Sequence, residues 1–266
     1  MSTGIVYLMY HEIQSPGREL IDDAPGYARY VVTIANFRAQ LARLRAGNFL
    51  GLNVTDALAP DQETPVSRVV TTFDDGCETD LTVAAPLLRE HNYNATFYVT
   101  TGHIGRRGYL TKSQLLELAA LGFEIGCHSM SHRLLLDLPL DQLHIEIVVA
   151  KEQLEQLIGK RVAHFSCPGG RWNRRVAQVA RDAGYESVAT SRVSANHRTT
   201  DRFRLSRVAV MRDTSLSEFE RYCRGEKLLK RQAQEAMLSV AKKALGNWGY
   251  QKFRSTMLGA RGTPQG

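Results

Sequence analysis

The chain has 266 residues, 43% hydrophobic and 23% charged, which is ordinary for a globular protein and long enough to bury a sizeable core. No run approaches the ~18 apolar residues of a membrane span, and no basic stretch leads into an apolar segment at the N-terminus, so a cytoplasmic protein is expected. The net charge of +7 sits in the tail: residues 221–266 hold ten Lys or Arg against two Asp or Glu, leaving 24 basic and 25 acidic residues elsewhere, a balance that argues against a nucleic-acid-binding face on the body.

In chain order, β-rich apolar runs alternate with helical patterns, the mark of a mainly parallel sheet or barrel with helices outside. Residues 5–10 predict a strand that ends at His11. Residues 16–30, with Pro16, Gly17, Pro25 and Gly26, predict a long loop of the kind that shapes a groove. Thr33 is placed to cap a helix over 34–46 whose buried stripe is Phe37, Leu41 and Leu44. Residues 56–67 read as a solvated connector. A strand over 68–73 runs into Asp74-Asp75-Gly76, and a helix over 81–91 follows. Next come a strand over 95–100, a Thr111-capped helix over 112–121, and a strand over 123–127 that leads into His128-Ser129-Met130-Ser131-His132. A helix over 141–158 precedes a strand over 163–167, which ends in Pro168-Gly169-Gly170. A helix over 174–183 stops at Gly184. Strands over 187–190 and 205–210 flank a polar loop at 194–202, and a helix over 217–224 follows.

Seven strand–helix units predict a (β/α) barrel, where the C-terminal strand ends gather around one mouth. His11, Asp74–Asp75, His128 and Pro168–Gly170 each come just after a predicted strand and are therefore expected to converge. Two adjacent carboxylates closing an apolar run are costly unless a cation sits beside them. Two histidines at i and i+4 can share one ion. One carboxylate with two imidazoles leaves positions open for water and substrate, as a catalytic metal requires. The second carboxylate is then free to act as a base.

Four stretches carry a resemblance: Tyr7-Leu8-Met9-Tyr10-His11-Glu12-Ile13, Val70-Thr71-Thr72-Phe73-Asp74-Asp75-Gly76, residues 123–132, and more weakly Phe165-Ser166-Cys167-Pro168-Gly169-Gly170. In order and spacing they resemble the motifs of the polysaccharide deacetylases of carbohydrate esterase family 4, over roughly residues 4–220. The opening stretch resembles the subgroup acting on poly-N-acetylglucosamine-type polymers. The resemblance implies a distorted (β/α)7 barrel, taken over 1–220, while the charge and apolar spacing of 221–266 predict a basic amphipathic helical tail. It implies removal of N-linked acetyl groups from amino-sugar residues of a glycan or lipid-linked precursor, with release of acetate.

By the same resemblance, Asp75, His128 and His132 are the metal ligands and Asp74 is the general base. Zn²⁺ is the default for such a donor set, with Co²⁺, Ni²⁺, Mn²⁺ and Fe²⁺ as alternatives. Pro168, Gly169 and Gly170 suit a tight turn that brings backbone near a substrate, and Trp172 is a candidate floor for a sugar or a core residue. Many members have an arginine two residues before the proline that orients the base, whereas this chain has Ser166, as the poly-N-acetylglucosamine-type subgroup also lacks the arginine. The late Leu-x-His acid of many members is missing too. His11 and His197 are left as candidate general acids, His11 the better placed of the two.

His91, His103, His144 and His164 are expected to be structural or surface residues. Cys77, Cys127, Cys167 and Cys223 follow no CxxC spacing and are expected as buried thiols, with thiolate ligation the alternative. In the tail, Leu229, Ala233, Ala236, Met237, Val240 and Ala244 form an apolar stripe at helical spacing, flanked by lysines and arginines. Two uses of it stand level: packing on the barrel, or contact with anionic lipid at the inner membrane face through residues 227–245. The expected partner is an N-acetylated glycan and not nucleic acid. Two other functions suit the same motifs, a cyclic-imide or other non-sugar amide hydrolase and a catalytically silent glycan-binding domain.

Overall fold

The computed structural model describes residues 4–60, 66–229 and 232–233. The described strands are β1 (Val6–Tyr10), β2 (Ile13–Gln14), β3 (Val32–Thr33), β4 (Phe49–Leu52), β5 (Ser67–Phe73), β6 (Thr96–Val99), β7 (Glu124–Cys127), β8 (His164–Ser166), β9 (Ser187–Ala189) and β10 (Val208–Ala209). All but β2 and β3 join one parallel sheet in the order β10-β1-β5-β6-β7-β8-β9, with β4 added on β5. Leu205 bridges Ala189 of β9 while Val208 and Ala209 pair with β1, so one segment touches both edges and the sheet curls round as a distorted (β/α) barrel. The expected fold class is the observed one.

β4 is an addition to that expectation. It pairs with the first half of β5 (Leu52 opposite Val70), and β6 takes the second half from Thr72 opposite Thr96. Four residues with Gly51 among them are too short and too irregular to display a strand period. The glycine is needed because a Cβ at position 51 would run into the Tyr93 ring.

Side chains alternate between the two faces of each strand. Tyr7, Val70, Tyr98, Ala189 and Leu205 fill the floor of the barrel interior. Two residues further along β5 comes Thr72, and two beyond it Asp74. Two residues beyond Leu205 comes Arg207. Polar groups therefore rise through the interior towards the mouth by strand period alone. Outside, Tyr10, Phe73 and Phe97 stack at 5.3 and 4.8 Å, and Phe37 of the helix Ile34–Ala46 meets Tyr10 and Phe73 edge-on.

The predicted caps are present. Thr33 Oγ1 accepts the Asn36 N–H at 3.2 Å, and Thr111 forms a reciprocal cap with Gln114 ahead of the helix Lys112–Ala120. The helices expected over 81–91 and 141–158 each contain a π-helical turn, at Asp80–Ala84 and at Ile145–Val149. Both turns bury an acid, Asp80 and Glu146, that a 3.6-residue period would not single out.

The described residues up to Glu226 form one compact unit. The boundary expected at 220 falls within the helix Leu216–Cys223. Apart from residues 221–229 and 232–233, the tail lies outside the described residues, as does most of its expected membrane contact at 227–245. No helix among the described residues is long and apolar enough to cross a membrane.

The closed end of the barrel is tied by Glu124. Its carboxylate accepts the Val54 and Thr55 N–H groups at 3.1 and 3.2 Å and the Thr96 hydroxyl, and lies 3.5 Å from His164 Nε2. His164 Nδ1 is 2.9 Å from Ser187 Oγ. Serine and imidazole are both fully buried, so this Ser–His–Glu set is a brace and not a nucleophile, and His164 is structural as expected. Burial raises the Glu124 carboxyl, but the bonds from His164, Thr55 and Thr96 outweigh it and hold it below its ordinary value. Glu124→Ala is expected to cost about 2–3 kcal/mol at pH 7. A depressed carboxyl contributes stability only above its unfolded pKa, so the gap to wild type should narrow as urea unfolding is repeated below about pH 4. A gap independent of pH would rule out a charge-based brace.

Candidate active site

Beyond β5 the chain turns sharply. The Asp74 N–H still donates to Tyr10 O at 3.0 Å, and Asp75 then takes φ +84. Beyond β7, Ser129 and His132 take φ +67 and +59. Three non-glycine residues in the left-handed region within two short turns are a strain that the surroundings must hold. Glu146 accepts the Met130 and Ser131 N–H groups at 3.1 and 2.9 Å and the Ser131 hydroxyl, while Ser129 Oγ accepts the His132 N–H at 3.0 Å.

These turns bring Asp75, His128 and His132 together. Asp75 Oδ1 lies 3.5 Å from His128 Nε2 and 3.3 Å from His132 Nε2, and as a buried oxygen it has no hydrogen-bond donor. His128 Nδ1 stands 2.9 Å from Ser166 O, which only a ring N–H can satisfy, so the Nε2 lone pair faces Asp75. Burial, outweighing the pull of Asp74, pushes the His128 pKa down to about 4, which keeps the ring neutral and able to ligate. Donor atoms at 2.0–2.1 Å around a tetrahedral ion lie about 3.3 Å apart. The observed separations fit that ion, and no other group of three ligating side chains lies as close among the described residues. His132, 39% exposed, leaves the open side.

Asp74 is held apart from this cluster by Arg207, which is fully buried. The guanidinium donates to Asp74 Oδ1 at 2.7 Å and Oδ2 at 2.8 Å, a bidentate pair. It also donates to Ser166 Oγ (2.8 Å), Thr72 Oγ1 (3.2 Å) and Thr190 O (3.0 Å), so nearly every donor is used. Ser166 Oγ donates back to Asp74 at 3.3 Å. Burial raises the Asp74 carboxyl, but the Arg207 guanidinium outweighs it and holds it well below the ordinary range. The arginine missing from the position of Ser166 is thus supplied by the last strand, and Ser166 fits beneath it. Sequence reasoning passed over Arg207; its one signal is a charged residue inside the run 205–210.

The other predicted positions separate. His11 follows β1 at the mouth; its Nδ1 is buried without a partner and its ring is 4.9 Å from that of Tyr30. His197 lies against Gly4, before the start of β1 and roughly 20 Å from the mouth by strand rise, so it is not a proton donor here. Pro168–Gly170 form a tight turn after β8, but the Gly170 N–H is spent on Cys167 O at 2.8 Å. Trp172 is half-buried with the Arg204 guanidinium 4.7 Å over its ring, so a face that would carry a sugar is covered. His103, expected as structural, stands at the mouth beside His132, ring centroids 6.3 Å apart. All four cysteines are buried, and burial pushes Cys127 and Cys167 up to about 12, which makes them thiols rather than ligands.

Asp80 was missed as well. It is fully buried, both oxygens lack a partner, and burial followed by the charges of Asp75 and Asp74 raises it well above the ordinary range. A raised carboxyl costs stability as pH climbs from about 4. Asp80→Asn is therefore expected to be more stable than wild type in chelator at pH 8, with the gain shrinking towards pH 4. A variant less stable than wild type at pH 8 would contradict this.

Residues 61–188, which contain the Asp-Asp pair and both histidines, match the family model described as polysaccharide deacetylase. A Bacillus subtilis protein named as a polysaccharide deacetylase, YxkH, is 28% identical over 218 residues, covering 81% of this chain and 74% of that one. The peptidoglycan-N-acetylglucosamine deacetylase of Bacillus cereus is 34% identical over 124 residues, which are 46% of this chain and 56% of that relative. The fold is similar to that of the Streptococcus pyogenes deacetylase PplD, solved with acetate, at a TM-score of 0.73 and 24% identity over 83% of this chain and 98% of that one. The barrel, the converged Asp-His-His cluster at its mouth and the family match lead to one conclusion: residues 61–188, which carry the cluster, are similar to the polysaccharide deacetylase family.

Proposed function

We propose that this chain is a divalent-metal-dependent hydrolase that removes N-acetyl groups from amino-sugar residues of a glycan, of the poly-N-acetylglucosamine type, and releases acetate. The observation that carries this reading is the division of labour between neighbouring carboxylates. Asp75 points an unpartnered oxygen at two neutral imidazole nitrogens, and Asp74 is kept ionised and aimed by Arg207. Zn²⁺ suits the N₂O donor set.

When bound, a divalent ion lowers the pKa of a water and polarises the acetamide carbonyl. Asp74 removes a proton from the attacking water, whose oxygen forms a bond to the carbonyl carbon. The C–N bond then breaks, and the sugar nitrogen must gain a proton to leave as an amine. His11 is the donor proposed for that step, since it reaches the same mouth from the end of β1. Arg207 and Ser166 keep the carboxylate of Asp74 from rotating away between turnovers.

The test is incubation of the purified chain, loaded in turn with Zn²⁺, Co²⁺ and Mn²⁺, with chitotetraose. Equal amounts of acetate and free amine are expected, with both abolished by chelator and restored by metal. Full metal occupancy without acetate from chitotetraose or peptidoglycan fragments would end this reading.

A further inference from the structure

Two aromatic rings form a wall beside the ligand cluster on the side of β6. His103 ends the tight turn Thr101–His103, and its ring centroid is 4.5 Å from that of Tyr109 and 6.3 Å from that of His132. Both rings are partly buried, and His103 Nδ1 is buried with no protein partner. Nδ1 is closed off, so a ligand would meet the ring at Nε2, for which the described residues supply no hydrogen-bond partner. His103 is not part of the compact ligand group, so the cluster does not provide one.

The wall is built rigidly. The Gly102 N–H donates to Met130 O at 2.8 Å, fastening the turn to the segment that carries His132. The Leu110 N–H donates to Gly76 O at 3.0 Å and the Glu78 N–H to Gly108 O at 2.8 Å, fastening Tyr109 to the turn that carries Asp75. From the loop after β2, Arg18 reaches Gly108 O and Glu19 pairs with Arg107. A backbone tied at these points sets where both rings stand before a ligand arrives.

We propose that His103, backed by Tyr109, is a specificity-determining residue that hydrogen-bonds a hydroxyl of the amino sugar whose acetamide lies at the ligand cluster. The reachable ring nitrogen donates in one tautomer and accepts in the other, and a hydroxyl can meet it either way. The inference rests on the deacetylase reading above.

The experiment compares wild type with His103→Phe, which keeps a ring against Tyr109 but removes both nitrogens, and with His103→Gln, which restores a donor and an acceptor. Each is assayed on chitotetraose and on 4-nitrophenyl acetate, an acetyl donor without a sugar, and bound metal per chain is measured. For His103→Phe, KM on chitotetraose is expected to rise about tenfold, the loss of one hydrogen bond, with kcat changing less. The loss of kcat/KM should be at least several-fold larger on chitotetraose than on the ester, and His103→Gln should recover part of it. Equal losses on both substrates, or lost metal, would overturn the proposal, as would unchanged kinetics on chitotetraose. Wild-type protein that hydrolyses the ester but leaves chitotetraose intact would overturn the deacetylase reading instead.

Discussion

Arg207→Met is expected to destabilise the protein by about 3–5 kcal/mol and to lower deacetylation at pH 7 by ~100-fold or more. Arg207 is the buried cation facing Asp74, and it donates to both carboxylate oxygens. Methionine fills much of the volume but leaves a buried anion without its partner. Asp74 then takes up a proton at a higher pH and ceases to be a base. The sign is fixed by the depressed carboxyl: Asp74 contributes stability above its unfolded pKa and loses it as pH falls. With Arg207 gone that depression disappears, so the acid limb of the pH–rate profile moves up. Asp74→Asn alone leaves the guanidinium short of an anion and should also destabilise. The double variant removes both charges, so its stability should exceed the sum of the single effects by 1 kcal/mol or more, on the order seen for coupled buried pairs. Activity should stay lost. Four urea curves and a pH–rate profile decide it, and additive costs in the cycle would show that the two groups are not coupled.

The second large effect is a split between the neighbouring aspartates. Asp74→Asn is expected to lower kcat by ~10²–10⁴ while the protein still binds one metal per chain. Asp75→Asn is expected to weaken metal affinity by ~100-fold or more, so that activity is lost at ordinary metal concentrations. The geometry behind the split is simple. Asp75 Oδ1 has no donor and sits within 3.5 Å of both Nε2 atoms, whereas Asp74 Oδ2 is 3.9 Å from His128 Nε2 and bonded to Arg207. Metal analysis and steady-state rates at a temperature where both variants are folded separate the roles. If Asp74→Asn strips the metal as thoroughly as Asp75→Asn, the division of labour fails.

Much of this site was legible from local signals. Asp74, Asp75 and His128 each follow an apolar strand, and a barrel sends such positions to one mouth. Thr33 and Thr111 announced their helices because a cap needs only a side-chain oxygen and an N–H three residues on. His197 misled, since a histidine in a polar loop says nothing about which end of the barrel the loop covers. Trp172 misled differently: an aromatic near a motif cannot show that Arg204 will lie over its face. Glu146 and Asp80 were hidden because each stands at the start of a π-helical turn, where a buried acid breaks the apolar 3.6-residue pattern and reads as a surface residue.

By itself the sequence determined the alternating architecture, the helix starts and the three side chains that meet as a candidate metal site, because periodicity, capping and motif spacing act over a few residues. Only the tertiary structure decided that Arg207 would hold Asp74, 133 positions earlier, and that His103 would stand beside His132. Such pairings depend on the closure of the barrel through residues 205–209, which brings the last strand against the first. Local signals do not encode that closure; the burial of both sheet edges at once produces it.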